Sequence, residues 1–126
     1  MTSDGSAVTR LKRALENPRA SATQIRAIAA ELPTVGREDA LAILLALLER
    51  EPHTFSRGAA RWGGRLTLEH RLSLVDAQLT LAALASLPGP GARAGAEALI
   101  ELADRHGLRR VDELLLSWLE RRGIGE

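Results

Sequence analysis

The chain has 126 residues, enough for one domain with a core of its own, and 45% of it is hydrophobic, which excludes an intrinsically disordered body. Seventeen Lys and Arg against sixteen Asp and Glu give a net charge of +1, which excludes a surface that is basic throughout. There is no Cys, so disulfide frameworks, thiolate zinc sites and thiol nucleophiles drop out.

Leu (23 residues) and Ala (21) dominate the hydrophobic set, the aromatic side chains are Phe55, Trp62 and Trp118, and Ile plus Val number nine. That is poor material for half-buried strands, and the expected class is all-α. The longest apolar run, residues 40–48, falls far short of the roughly 20 residues that cross a bilayer, so the chain reads as cytoplasmic with no membrane association.

Residues 1–6 are small and polar and predict a disordered tail, 7–123 a single helical domain, and 124–126 a second short tail. Val8, Leu11 and Leu15 recur at helical spacing until Asn17 and Pro18 end a short first helix. Ser21 and Gln24 have the form of a capping box, and Ile25, Ile28, Ala29 and Leu32 line one face of a second helix that reaches Pro33. From Arg37 to Arg50 the pattern is apolar nearly all round, with Glu38 and Asp39 at one end and Arg50 at the other suiting the helix dipole; this third helix is expected at the buried centre.

Residues 52–66 then read as a Gly/Arg-rich connector, longer than an idle loop in a chain of this size. Residues 52–72 carry Arg57, Arg61, Arg65 and Arg71 against Glu69, a local +3. Guanidinium forks, a Trp62 stacking face and glycines that let backbone approach a ligand make these residues the candidate ligand or nucleic-acid contact. The competing reading is structural: Thr54 starts one helical turn, Phe55 and Trp62 pin the segment to the core, and the Arg side chains meet acids or water.

Thr67 is expected to cap a fourth helix running to about Leu87. Two apolar stripes, one through Leu68, Leu72, Val75 and Leu79 and one through Leu74, Ala77, Leu81 and Leu84, predict that it is sandwiched between neighbours, with Glu69, Ser73, Asp76 and Thr80 turned to water. Residues 88–91 (PGPG) break the chain. A fifth helix through Ala96, Leu99, Ile100, Leu102 and Ala103 ends at Gly107, and a sixth from Val111 to Leu119 ends at Arg121, Arg122 and Gly123. A shift of 71 residues lays 27–50 on 98–121 without a gap, a weak sign of duplicated αα-hairpins; it fits none of the familiar helical-repeat periods.

Chemistry has few candidates. His53, His70 and His106 lack helical metal-pair spacing, no HExxH occurs, and Glu69 with Asp76 lack a neighbour that would tune them, so no metal, cofactor or catalytic residue is expected. The last helix is apolar enough to need cover on more than one side. Either Trp118 is a central core residue, or Leu115, Trp118 and Arg122 form a self-complementary patch. The expected product is therefore an array of about six helices around one core, acting as a protein-interaction or regulatory module and a candidate homodimer. The alternative is a nucleic-acid-binding protein that contacts phosphates through residues 52–72.

Overall fold

A computed structural model describes residues 3–123, with side chains from Ala7 onward, and every regular element among them is helical. The helices are α1 (Ser3–Glu16), α2 (Ala22–Ala30), α3 (Arg37–Arg50), α4 (Phe55–His70), α5 (Leu74–Ser86), α6 (Ala92–Arg105) and α7 (Arg109–Arg122), with a 3₁₀ turn at Pro52–Thr54 leading into α4. Helix α3 packs on α4, α4 on α5, α5 on α6, α6 on α7 and α7 back on α3, which closes a five-helix ring; α1 and α2 lie outside it against α3. No helix among the described residues is long and apolar enough to cross a membrane.

The near-continuous apolar pattern of α3 is explained by this position. Leu41, Leu44, Leu45 and Leu48 enter the core of the ring, while Ile43 and Ala46 turn outward onto a second cluster made with Leu11, Ala14, Ala20 and Ile25. A helix buried on two sides shows no single apolar stripe. Arg50 fastens the same junction, donating to the carbonyls of Asn17, Ala20 and Ala46, and Arg10 pairs with Glu31 across α1 and α2. The capping box at Ser21 is present in full: its hydroxyl accepts from Gln24 N at 3.1 Å, and Gln24 Oε1 accepts from Ser21 N at 2.8 Å.

Three expectations are corrected. Residues 3–6 belong to α1 instead of a disordered tail, while residues 1–2 and the expected 124–126 tail lie outside the described residues. Residues 52–66 are not a connector; apart from the 3₁₀ turn they form most of α4, whose Phe55, Ala59, Trp62 and Leu66 line the core at helical spacing. The expected fourth helix from Thr67 to Leu87 is two helices. Helix α4 ends at Arg71, which takes a left-handed conformation (φ 48°), and Ser73 caps α5 by accepting from Asp76 N at 3.1 Å. Thr67, instead of capping, donates its hydroxyl to Gly63 O within α4. The described residues thus hold seven α-helices in place of about six. The two halves of the expected duplication are packed unequally, with α6 and α7 in contact over more of their length than α2 and α3.

Helix α5 runs beside α6 in the opposite direction: Asp76 reaches Arg105 at one end, and Ala83 meets Gly95 at the other. The backbones approach so closely there that a Cβ on Gly95 would sit 2.6 Å from Ala83 O and 2.9 Å from Ser86 Oγ. On α4, Gly64 faces open space. Gly95→Ala is therefore expected to destabilise the fold by about 1–3 kcal/mol through overpacking. Gly64→Ala should stabilise it by about 1 kcal/mol through helix propensity. Urea midpoints with an unchanged m-value check both.

Candidate functional site

The Arg/Trp segment is brought together as a clasp between α4 and the start of α3. Trp62 is 4% exposed and its Nε1 donates to Arg37 O at 2.9 Å, so its ring is core and offers no stacking face. Arg65 Nη1 donates to Val35 O at 2.9 Å and Nε to Glu69 Oε2 at 2.9 Å, while Arg37 Nη1 donates to Glu69 Oε1 at 2.8 Å. The hydrogen bond from Arg65, opposed by desolvation and helped by the hydrogen bond from Arg37, holds the Glu69 carboxyl below its ordinary value. Of the five predicted contact residues, Trp62 and Arg65 are thus engaged within the fold. Arg57 and Arg61 stand exposed on α4 with no hydrogen-bond or ion-pair partner among the described residues, and Arg71 is exposed at the break after α4.

The predicted interface on α7 points inward. Leu115 is fully buried and Trp118 is 1% exposed, so both fill the ring's core and neither is presented to a second copy. Arg122 covers the Trp118 ring from outside, its guanidinium carbon 4.8 Å from the ring centroid and its Nη1 4.0 Å from Glu49 Oε1. Beneath it, Trp118 Nε1 is buried without a hydrogen-bond partner. The large exposed apolar residue on α7 is Leu116.

The feature that the sequence reading missed is on α5. The expected polar row splits: Glu69 and Ser73 are exposed, Asp76 is partly buried, and Thr80 is fully buried, its hydroxyl donating to Asp76 O at 2.8 Å, with Ala83, Leu84 and Leu87 buried beside it. The exposed positions of α5 are Leu74, Val75, Gln78, Leu79, Leu81, Ala82 and Ala85. Six of these seven are apolar and the seventh is uncharged, so the helix presents a continuous apolar face to solvent. Leu74 is 75% and Val75 71% exposed, and Leu68, near the end of α4 that leads into α5, is 80% exposed. Burying one such side chain is worth about 1.5–3 kcal/mol. The signal available in the sequence was that α5 is apolar on every face, which guarantees an outward apolar face wherever one side is left uncovered.

A polar cluster closes the end of α5 nearest the α4 break. Asp76 Oδ1 lies 3.4 Å from Arg105 Nη2 and its Oδ2 3.4 Å from His106 Nε2, while the His70 and His106 rings meet edge-on at 6.4 Å. Nearby on α7, Asp112 is pushed up to about 6, chiefly by burial and then by the neighbouring Asp104 carboxyl, with Glu113 adding to the repulsion. No group of three or more His, Asp or Glu among the described residues could hold a metal ion. A hollow of about 350 Å³ between α1 and α2, lined by Arg10, Ala14, Gln24 and Ile28 among others, is open to solvent and carries no convergent set of reactive groups.

No protein family, curated protein or solved structure matches the chain.

A carboxyl whose folded-state pKa stands above its unfolded value of 3.8 stabilises the fold below that value and loses the contribution as pH rises through about 6. Asp112→Asn is therefore expected to raise Tm at pH 8, to leave it nearly unchanged at pH 3.5, and to flatten the slope between pH 4 and 6. Thermal melts across that range check it.

Proposed function

We propose that this chain is a non-catalytic helical module that acts by protein–protein contact, with the outward face of α5 as its docking surface. The observation that carries the reading is the inversion of α5: Thr80 and Ala83 occupy the interior while Leu74, Val75, Leu79 and Leu81 face solvent. Folding alone buries Leu84 but leaves the other four large apolar side chains of this helix exposed, and a partner would bury them. Trp62 is hidden and Arg65 engaged, so a nucleic-acid reading of residues 52–72, which is motivated by the local +3, would rest on phosphate contact by Arg57, Arg61 and Arg71.

A photo-crosslinking residue placed at Gln78, in the middle of the face, is expected to give protein adducts in lysate of the source cells. The same residue at exposed Glu113 on α7 should give few. The Gln78 adducts should disappear in a Leu74→Glu, Val75→Glu background whose melting temperature is close to wild type, because both side chains are exposed. Equal labelling from both positions, or no adducts at all, would count against the docking face.

A further inference from the structure

We infer that the partner fitting the α5 face is a second copy of this chain, related by a two-fold axis running along α5. The inference rests on the docking-face reading above and adds the identity and geometry of the occupant.

The face has nothing that selects a charged partner and nothing that repels itself. Asp76 is the sole ionisable residue in α5, and it is held by Arg105 and His106 on the side turned to α6. Aliphatic residues tolerate their own images across a symmetry axis, and a closed two-fold interface requires that self-complementarity. Gln78, the one polar residue on the face, satisfies the same condition, because a carboxamide both donates and accepts and can pair with an identical carboxamide at the same height.

The flanks decide the direction of the axis. On one side of α5, the exposed surface of α4 carries Arg57 and Arg61 with no acid beside them. On the other, the exposed surface of α6 carries Glu97, Glu101 and Asp104 against Arg93, which pairs loosely with Glu97 at 3.7 Å, and Arg105, which is turned to Asp76 of its own copy. A two-fold axis across α5 would set α4 against α4 and α6 against α6, like charge facing like. An axis along α5 makes the two α5 helices parallel and lays α4 of each copy against α6 of the other, so that Arg57 and Arg61 oppose Glu97 and Glu101 at both ends of the symmetry operation. An anionic lipid surface is a poorer occupant, since the acidic flank of α6 would be repelled from it.

The test is light scattering on the purified full-length chain across a concentration series. Wild type is expected to be dimeric at tens of micromolar. Arg57→Glu with Arg61→Glu, and separately Glu97→Lys with Glu101→Lys, are each expected to weaken the dimer about tenfold or more, and an equimolar mixture of the two variants should restore it. In that mixture both flanking contacts again join opposite charges. Circular dichroism verifies that each variant stays helical. Since the chain has no Cys, Gln78→Cys gives an independent reading: the along-helix axis predicts disulfide-linked dimers on mild oxidation. A wild-type monomer with Gln78 adducts to other proteins would overturn the second-copy inference and leave the docking face standing. A dimer indifferent to the charge reversals, to mixing and to Leu74→Glu would overturn both.

Discussion

The close approach of α5 to α6 is the contact that sets the rest of the surface. Because Gly95 brings the α6 backbone under Ala83 O, the side of α5 facing α6 can carry only small groups, and Ala83, Thr80 and Ser86 meet that requirement. The buried Thr80 hydroxyl is satisfied by its own helix, donating to Asp76 O, so its polarity adds little penalty. The longer side chains other than Leu84 lie on the opposite side, where they face water. A helix that is apolar all round has thus been oriented by the volume of its residues instead of by their hydrophobicity.

Helix α3 plays the complementary part. It supplies four leucines to the ring and Ile43 and Ala46 to the α1–α2 cluster, so a single helix joins the two cores. The clasp of Arg37, Glu69, Arg65 and Trp62 fixes α4 against its start, and Arg50 gathers three carbonyls at its end. Of the four arginines that a charge count assigns to a ligand, Arg65 is structural here, as Arg37 and Arg50 are elsewhere in the fold. Their forked donors span helix ends and linkers where backbone carbonyls lack partners.

Much of the fold was legible residue by residue. The capping box at Ser21, the break at residues 88–91 and the glycines that end α6 and α7 in left-handed conformation (φ 69° at Gly107, 68° at Gly123) each carry a local signal with a local cause. Helix α4 was obscured because Gly58, Gly63 and Gly64 read as a loop, although Phe55, Ala59, Trp62 and Leu66 hold helical spacing through it. Two of the three belong there for packing: a Cβ on Gly63 would lie 2.8 Å from Leu81, and one on Gly58 2.8 Å from Leu44. The break at Arg71 gave no warning, since a left-handed residue at a helix end is ordinarily Gly or Asn.

By itself the sequence determined that the described chain is helical and where most helices begin and end, because capping side chains, prolines, glycines and apolar periodicity act over a few residues. Which face of α5 is covered, and whether Trp62, Leu115 and Trp118 point to a partner or to the core, was decided by tertiary structure alone. Two stripes of nearly equal hydrophobicity gain nearly equal free energy on burial, so the choice between them falls to the shape of the neighbouring helices.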